Sequence, residues 1–239
     1  MIVKKIDCED CETRSESLLN FAFADDLEVI NCNKVCNHFK KGQTIFYEGN
    51  TPPGLYCVNK GKIKLYRTGK DGKEQIIGFG IPGDFLGYRA IIAEEGYAAS
   101  ATALEDTVVC LIRKEDFLNM LQKNSYISKQ LMVSLCKELG LAMEKIQSLS
   151  QKSVRERLAE TLFYLRDTFK GHHDEDESKI EIVLPREDIA NIVGTTTETV
   201  IRTLSDFKNE KFIELDGKKI RILNGAKLRE ISGLEINYA

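Results

Sequence analysis

Apolar and polar residues alternate over short distances in the first half of the chain. Residues 62–66 (KIKLY) and 74–77 (EQII) are two such runs, and the Asp71-Gly72 pair between them is a strong signal for a hairpin turn. Eleven of the 17 glycines lie between residues 42 and 96, so turns recur every few residues. Many short strands joined by glycine-rich turns predict a β-roll or sandwich, which we assign to residues 27–115.

The pattern changes in the region 116–150. From residue 127 to residue 149 the apolar residues recur at steps of three and four, the spacing of one face of an amphipathic helix. Such a helix is about 35 Å long. Its stripe can pack on its own domain or pair with a second copy of the chain, and its length and narrowness favour a dimer seam. The predicted seam consists of Ile127, Leu131, Leu135, Leu139, Ala142, Ile146 and Leu149.

Residues 151–239 predict a separate domain. Ser153 and Glu156 have the spacing of a capping box, which starts a helix that we expect to end near Phe169. The elements that follow have the order of a winged helix-turn-helix. They are predicted at 180–184 (a strand), 186–193 and 196–208 (two helices separated by Gly194), and 212–215 with 219–222 (a hairpin around Asp216-Gly217).

The helix predicted at 196–208 carries the candidate DNA contacts. In a helix-turn-helix the second helix enters the major groove, and its first residues contact base edges. Glu198 and Arg202 lie one turn apart; arginine pairs with guanine, and glutamate accepts from the cytosine amino group. Neighbouring hydroxyl groups and lysines can hold phosphates. The predicted contacts are Thr195, Thr196, Thr197, Glu198, Ile201, Arg202, Ser205, Lys208, Lys218 and Lys219.

A purely structural role competes with this interpretation. Thr195 and Glu198 have the spacing of a second capping box. Glu198 and Arg202 can also form an i,i+4 ion pair that only stabilises the helix. The side of this helix that we predict to be buried consists of Thr196, Val200, Thr203, Leu204 and Phe207.

Composition and charge narrow the function classes. The chain has 239 residues and a net charge of −3, so it is not a generally polybasic nucleic-acid coat. No apolar run has the length of a membrane-spanning helix, and the first residues lack the apolar core of a secretion signal, so we expect a cytoplasmic protein. No catalytic triad spacing, P-loop or dinucleotide-binding motif is present, so no enzyme is expected. His172 and His173 lie in an acidic stretch that we interpret as a solvated loop rather than a metal site.

Five motifs, taken in order, resemble the CRP/FNR family of bacterial transcription regulators. The likeness covers residues 25–225 and implies an α+β fold with an N-terminal, jelly-roll-like double-stranded β-roll, a long dimerisation helix and a C-terminal winged helix-turn-helix. It also implies a homodimer that binds a palindromic DNA site and contacts RNA polymerase. The motifs are residues 40–46 (KKGQTIF), 82–87 (PGDFLG), 103–106 (ALED), 152–158 (KSVRERL) and 194–202 (GTTTETVIR).

The same resemblance assigns roles within the last motif. Glu198 and Arg202 match the base-reading glutamate and arginine of the family. Ile201 departs from it, because a small residue is common there, and the half-site sequence therefore stays open.

The resemblance also implies a sensor site in the β-roll. Cyclic-nucleotide-binding members carry a Gly-Glu pair for the ribose and an Arg-Ser or Arg-Thr pair for the phosphate. This chain has Gly87-Tyr88 and Ala99-Ser100 in these places, and a buried phosphate needs a paired cation, so we expect no tight binding of cAMP. A regulatory binding module of a non-transcriptional complex is a further alternative, which the helix-turn-helix disfavours. The predicted effector pocket consists of Phe85, Leu86, Gly87, Tyr88, Arg89, Ala98, Ala99 and Ser100.

The chain has seven cysteines, an odd number that argues against a disulfide framework. The FNR branch of the family holds an oxygen-sensitive iron–sulfur cluster with cysteines near the N-terminus and one in the roll, and thiolates suit iron–sulfur or zinc. By this resemblance the candidate ligands are Cys8 and Cys11 in segment 1–26 and Cys110 in the roll. The chain departs from the family because no third cysteine follows Cys11 closely, so either Cys32 or Cys36 is the candidate for the fourth ligand. An iron–sulfur or thiol-based redox sensor is therefore an alternative to control by a small-molecule effector.

A simpler interpretation of the cysteines is also open. Cys57, Cys110 and Cys136 can be small buried hydrophobic residues, and Cys8 and Cys11 can be surface thiols without a function.

Overall fold

Residues 6–170 and 180–233 are described by the computed structural model of the chain. They divide between Leu139 and Gly140 into a first and a second unit. The predicted α+β class is confirmed, because helices occur together with sheets whose strand pairs are all antiparallel in the described residues. None of the described helices is long and apolar enough to cross a membrane. The acidic stretch with His172 and His173 lies outside the described residues.

Two four-stranded antiparallel sheets form the β-roll of the first unit. Sheet one has the strand order β1-β8-β3-β6, and sheet two has the order β2-β7-β4-β5. The hairpin predicted around Asp71-Gly72 is confirmed, since it joins β4 to β5. The strands are β1 (Val35–Phe39), β2 (Thr44–Phe46), β3 (Gly54–Lys60), β4 (Ile63–Thr68), β5 (Glu74–Gly80), β6 (Phe85–Leu86), β7 (Ser100–Ala103) and β8 (Thr107–Arg113).

Helices cover one face of sheet one. Two short 3₁₀ turns, Arg14–Glu16 and Leu18–Phe21, lead into them. The side chain of Asn124 accepts hydrogen bonds from the backbone N–H groups of Tyr126 (3.1 Å) and Ile127 (3.2 Å), so it caps the start of the last helix. The helices are α1 (Ala24–Asn33), α2 (Tyr88–Ala93), α3 (Lys114–Lys123) and α4 (Ser125–Gln151), which continues into the second unit.

Sheet one is buried on both faces, which gives the first unit two cores. Val58 and Val109 face sheet two and pack with Ile63 and Ala101. In the same core the ring of Phe46 stacks on the rings of Tyr97 (4.1 Å between centroids) and Tyr56 (5.5 Å). The opposite face of sheet one packs against the helices. That second core includes Leu55, Ile112, Phe117, Met120, Ile127 and Leu131.

The predicted seam on α4 divides into two parts. Ile127 and Leu131 are buried in the core of the first unit, while Leu139 and Ile146 are exposed. The exposed apolar residues follow heptad-like steps of four and three, and they fall within about 80° on the helix at 100° per residue. This exposed stripe consists of Met132, Cys136, Leu139, Met143 and Ile146.

The second unit is a winged helix-turn-helix. Its two predicted helices and the hairpin around Asp216-Gly217 are confirmed, and the capping box of Ser153 and Glu156 starts the first helix of the unit as expected. The three strands form one antiparallel sheet with the order β10-β11-β9. The elements are α5 (Val154–Phe169), β9 (Ile182–Val183), α6 (Arg186–Val193), α7 (Thr197–Asn209), β10 (Ile213–Asp216), β11 (Lys219–Ile222) and α8 (Gly225–Ser232).

The helix-covered core predicts the effect of removing one aromatic ring. Phe117 on α3 is fully buried, so Phe117→Ala should lower the free energy of unfolding of the first unit by about 3–5 kcal/mol. Phe23, which is 57% exposed, provides the matched control, and Phe23→Ala should change stability by less than about 0.5 kcal/mol. Urea unfolding followed by circular dichroism measures both. Equal losses for the two variants would contradict this account of the core.

Candidate functional site

A tight turn joins α6 to α7. Gly194 ends α6 with a left-handed φ of 73°, and its N–H donates to the carbonyl of Ala190 (2.9 Å). A Cβ atom at this position would lie 2.9 Å from the side chain of Leu149. The left-handed backbone conformation therefore favours glycine here, while the flexible Leu149 side chain could move aside.

Arg157 on α5 holds this turn in place through hydrogen bonds to its backbone. Its guanidinium donates to the backbone carbonyls of Val193 (2.9 Å), Gly194 (3.3 Å) and Lys152 (2.7 Å). These carbonyls lie at the C-terminal ends of two helical segments, where carbonyl groups have no intrahelical partners. One side chain thus ties the turn before α7 to the start of α5.

The start of α7 differs from the sequence prediction. The cap is Thr196 and not Thr195: the Thr196 hydroxyl accepts from the N–H of Thr199 (3.3 Å). The reason is that the turn holds Thr195 against Ala190, where its N–H donates to the Ala190 carbonyl (3.1 Å). Hydrogen bonds from its own backbone N–H and from the Thr196 hydroxyl lower the pKa of Glu198, which keeps this carboxylate ionised.

One side of α7 packs inward and the other is exposed. Of the predicted buried residues, only Thr196 is exposed, because it is the cap; Val200, Thr203, Leu204 and Phe207 are buried. Among the described residues Glu198 and Arg202 form no ion pair with each other, so both charges are available on the exposed side. The Ser205 hydroxyl donates to the Ile201 carbonyl (2.9 Å) and can still accept. The exposed residues of α7 are Glu198, Ile201, Arg202, Ser205, Asp206, Lys208 and Asn209.

The hairpin of β10 and β11 carries fewer free charges than the sequence indicates. Lys219 pairs with Glu181 (2.7 Å), and Arg221 pairs with both Glu181 (2.8 Å) and Glu214 (2.9 Å). The hydrogen bond to Glu181 raises the pKa of Lys219. Lys218 at the tip is exposed and makes no ion pair with any described residue.

The residues predicted for the effector pocket have different surroundings. Arg89 and Ala98 are exposed, and Ser100 is buried with its hydroxyl accepting from the N–H of Glu48 (3.0 Å). Gly87 lies directly against the ring of Tyr97, since a Cβ there would be 2.6 Å from it. Phe85, Leu86 and Ala99 are buried as well.

Tyr88 connects the roll to the long helix. Its hydroxyl donates a short hydrogen bond to the carboxylate of Glu138 on α4. Burial raises the pKa of Tyr88, and the neighbouring carboxylate raises it further. The phenol therefore stays protonated and keeps donating to α4 over the physiological pH range.

The cysteines are arranged differently from the prediction. Cys36 and Cys110 form a disulfide, whereas the odd count and the absence of an export signal argued against disulfides. The pairing arises because the two residues are direct partners on the neighbouring strands β1 and β8. Neither residue is thus available as a thiolate in this state. Cys136, expected in a core, is exposed on α4.

Cys57 forms a row with the two cysteines of this disulfide, an arrangement that the sequence alone did not reveal. It is the direct partner of Cys110 on β3, so Cys36, Cys110 and Cys57 lie side by side across sheet one. Four cysteines line one cavity beside the row: Cys8, Cys11, Cys57 and Cys110. Cys32, the other predicted alternative, is exposed and does not line it.

Polar groups contact the sulfur atoms of the N-terminal pair. The ammonium of Lys34 donates to Sγ of Cys8 (2.8 Å), and the Asn59 amide donates to Sγ of Cys11 (3.3 Å). Burial raises the pKa of the Cys8 thiol, and the hydrogen bond from Lys34 opposes this rise. Burial also raises the pKa of the Cys57 thiol strongly. Within the described ranges no three His, Cys, Asp or Glu side chains are already arranged to hold one ion.

Two protein families match the chain, one in each part of it. Residues 36–124 match the cyclic nucleotide-binding domain family. Residues 156–231 match the Crp-like helix-turn-helix domain family. The first match covers most of the roll and the second covers most of the winged helix-turn-helix.

Relatives match over nearly the whole chain. The fumarate and nitrate reduction regulatory protein of Vibrio cholerae serotype O1 is 33% identical over 232 residues, which covers 96% of this chain and 91% of the relative. The protein of the same name from Escherichia coli K12 is 32% identical over 237 residues, with coverage of 98% and 93%.

Solved structures share the fold. FixK2 from Bradyrhizobium japonicum has a TM-score of 0.74 at 23% identity, covering 84% of this chain and 98% of that one. A transcriptional regulator of the CRP/FNR family from Thermus thermophilus has a TM-score of 0.66 at 24% identity, covering 83% and 98%.

The contacts of Arg157 predict how the second unit responds to a conservative change. A lysine cannot donate to three carbonyls in this geometry, so Arg157→Lys should lower the free energy of unfolding of the second unit by about 1.5–3 kcal/mol. Arg202→Lys is the matched control, because Arg202 is exposed and makes no ion pair with any described residue, so this change should alter stability by less than about 0.5 kcal/mol. Urea unfolding compares the two. Equal losses for the two variants would show that Arg157 does not hold the turn.

Proposed function

The chain belongs to the CRP/FNR family of bacterial transcription regulators, and we propose that it acts in the cytoplasm as a homodimer that binds two inverted half-sites on double-stranded DNA. The observation that carries this proposal is that Glu198 and Arg202 both lie on the exposed side of α7 and form no ion pair with each other among the described residues. From a promoter such a dimer contacts RNA polymerase, as the family resemblance implies.

Base reading is the role we propose for this pair. Arg202 donates to a guanine in the major groove, and Glu198 accepts from a cytosine amino group, so that together they recognise a G·C pair. An ion pair between the two side chains would compete with these contacts, and its absence among the described residues supports their availability. Ile201 lies between them and offers an apolar contact, as a thymine methyl group would require.

Phosphate contacts position α7 in the groove. We assign these to the hydroxyl groups of Thr195, Thr196 and Thr197, and to the lysines on α7 and the hairpin, because neutralised phosphates supply affinity without sequence information. Lys208 and Lys218 are exposed and free of ion pairs among the described residues. Lys219 is bound to Glu181 and has to exchange that partner for a phosphate.

The exposed stripe on α4 is the proposed dimer seam. Its five apolar residues repeat at 3.5-residue average spacing, which is the pattern that pairs two helices in a coiled coil. The seam predicted from sequence shares Leu139 and Ile146 with this stripe. Ile127 and Leu131 instead anchor α4 in the first unit and are not available to a second copy.

The signal that controls DNA binding acts on the β-roll. A ligand or a covalent change that alters packing around Tyr88 changes its hydrogen bond to Glu138 and hence the environment of α4. Such an input shifts the population between two arrangements of the dimer. Tight binding of cAMP is not part of the proposal, because the positions that match the phosphate-binding pair hold Ala99 and Ser100, and Ser100 is bound to the loop at Glu48.

A redox input is the second candidate for the sensed signal. The observation that favours it is the gathering of Cys8, Cys11, Cys57 and Cys110 around one cavity, with the Cys36–Cys110 disulfide at its edge. The relatives named above are fumarate and nitrate reduction regulatory proteins. Thiols in such a cluster respond to oxidants through disulfide formation.

Arg202→Ala tests the base-reading role. The variant should lose about 1–3 kcal/mol of binding free energy on the preferred duplex and should discriminate less at one base pair of each half-site. Fluorescence anisotropy on the preferred duplex and on its single-base-pair variants measures both. Lys208→Ala is the control. It should weaken binding to every duplex equally, and it should reduce the slope of the logarithm of the binding constant against the logarithm of the salt concentration by about one, because one phosphate contact is lost. An unchanged base-pair preference in Arg202→Ala would overturn the assignment.

Leu139→Asp combined with Ile146→Asp tests the seam. In a dimer the two new carboxylates of each chain would be buried against those of the other chain. Their desolvation and repulsion should prevent dimer formation, so sedimentation velocity should show monomers. Leu141 is as exposed (63%) as Leu139 (58%) but lies on the opposite side of α4, so Leu141→Asp should remain a dimer. A dimer that survives the double substitution would remove the seam from the account.

A further inference from the structure

The last turns of α4 are covered on one side only. Within residues 141–151, all of which the structure describes, Lys145 and Ser148 are the two residues that are not exposed. Lys152 follows the helix directly and is half-buried, and its N–H still donates to the Ser148 carbonyl (3.0 Å). These three positions are three and four residues apart, so they lie on one face of the helical turns. We call this set, Lys145, Ser148 and Lys152, the polar face of α4.

One carboxylate of α5 binds this polar face. The Ser148 hydroxyl donates to one oxygen of Glu160 (2.5 Å), and the Lys152 ammonium donates to the other (2.6 Å). The junction is largely shielded from water, because Ser148 is 5% exposed and the side chain of Glu160 is 23% exposed. Burial lowers the pKa of Lys145, and the negative charge of Glu160 opposes this shift.

The junction is polar because the last turns of α4 have no apolar core of their own. None of the apolar residues within the described stretch 141–151 is buried. Hydrogen bonds to an ionised carboxylate are stronger than neutral ones and depend on direction. The two contacts of Glu160 therefore fix the angle between the end of α4 and α5.

We propose that Glu160 is a positioning residue that sets the direction of α5 relative to α4, and that it thereby determines which distance between two half-sites the dimer accepts. The inference rests on the proposed function, because it requires a dimer that reads two inverted half-sites. It assigns a specificity that Glu198 and Arg202 do not supply, since base contacts read the sequence of a half-site and not its distance from the other.

The polar face lies on the side of α4 away from the exposed stripe. At 100° per residue the centres of the two faces are about 170° apart around the helix. In the proposed dimer one side of α4 thus faces the second copy, while the other side binds Glu160 of its own chain. Both contacts can be made at the same time, so the paired helices provide a common frame for two copies of α5.

A short series of contacts leads from Glu160 to the start of α7. Arg157 precedes Glu160 on α5 by three residues and donates to the carbonyls of Val193 and Gly194 in the turn before α7. The side chain of Leu149 on α4 lies against the same turn, since a Cβ on Gly194 would be 2.9 Å from it. The position of α7 therefore follows from the angle at which α5 leaves α4.

A third helix helps to hold Lys152 in place. Its ammonium also donates to the carbonyl of Ser232 at the end of α8 (2.6 Å). The helix α8 itself packs on α5, where the guanidinium of Arg229 lies over the ring of Phe163 (5.1 Å to the centroid). Lys152 cannot turn away from Glu160 without losing this second hydrogen bond.

The spacing of half-sites is a strict geometric requirement. One additional base pair moves a half-site by about 3.4 Å and turns it by about 35° around the DNA axis. Two copies of α7 that are fixed to the paired α4 helices cannot follow this change without losing contacts in one half-site. Without the contacts of Glu160, α5 and the elements after it can turn about the end of α4 and follow the altered spacing.

The test compares three duplexes that differ only in the distance between the half-sites. They carry the preferred inverted repeat, obtained by selection from a random pool, and the same repeat with one base pair more or one fewer. By fluorescence anisotropy the unaltered full-length protein should bind the two altered duplexes at least about tenfold more weakly than the preferred one. Glu160→Ala should reduce this difference to about threefold or less, while its base-pair preference within a half-site stays the same.

Lys152→Met is the second variant, and it decides the matter where Glu160→Ala does not fold. It removes the ammonium but keeps the apolar stem of a partly exposed side chain, and it should also reduce the spacing difference by at least about threefold. Combined with Glu160→Ala it should add nothing further, because both changes remove the same contact.

Glu144→Ala is the matched control. It removes an exposed carboxylate of α4 that belongs neither to the polar face nor to the exposed stripe, so it should keep the full spacing difference. Circular dichroism checks the folding of each variant.

Two results would overturn the inference. One is a folded Glu160→Ala or Lys152→Met that weakens binding to all three duplexes by the same factor, as a merely destabilised protein would. The other is an unaltered protein that binds all three spacings equally. Either result leaves the proposed function standing, whereas a protein that binds no inverted repeat disproves the proposed function and this inference together.

Discussion

A single continuous helix of 27 residues, α4, has different surroundings along its length. Its first turns are buried through Ile127 and Leu131, and its last turns belong to the second unit, where Ser148 donates to Glu160 (2.5 Å). Between these anchors the helix exposes an apolar stripe that it cannot bury by itself. In the function proposed above, this constraint links sensing, dimer formation and DNA binding, because each of them would act on the same helix.

The two units differ in which of their charged and polar side chains are exposed. The second unit exposes the charged side chains of α7 and fixes the backbone beneath them, with Gly194, Thr196 and Arg157 defining where α7 starts. The first unit instead buries Lys34, Cys8 and Cys57, so that these groups contact protein atoms rather than water. In the function proposed above, the exposed charges recognise a large polar partner.

Local signals in the sequence predicted the local structure well. The turn at Asp71-Gly72, the capping box of Ser153 and Glu156, and the hairpin at Asp216-Gly217 depend on neighbours in the chain, and all three are confirmed. The row of Cys36, Cys110 and Cys57 depends on strand register between residues up to 74 positions apart, which spacing alone does not reveal.

The face of α4 could not be fixed for a related reason. The helix has apolar residues on several sides, and only the position of the first core decides that Leu131 is buried and Met132 is exposed. Similarly, Thr195, Thr196 and Thr197 are consecutive where α7 begins, and only the turn at Gly194 decides that Thr196 is the cap.

The most direct test of the central claim is selection of preferred duplexes from a random DNA pool by the full-length protein, followed by sequencing. Two copies of α7 related by a twofold axis should enrich an inverted repeat whose half-site centres lie about 34 Å, or one helical turn, apart. Each half-site should contain a G·C pair at the symmetric position read by Glu198 and Arg202. Enrichment of a single unrepeated motif, or no enrichment at all, would contradict the account.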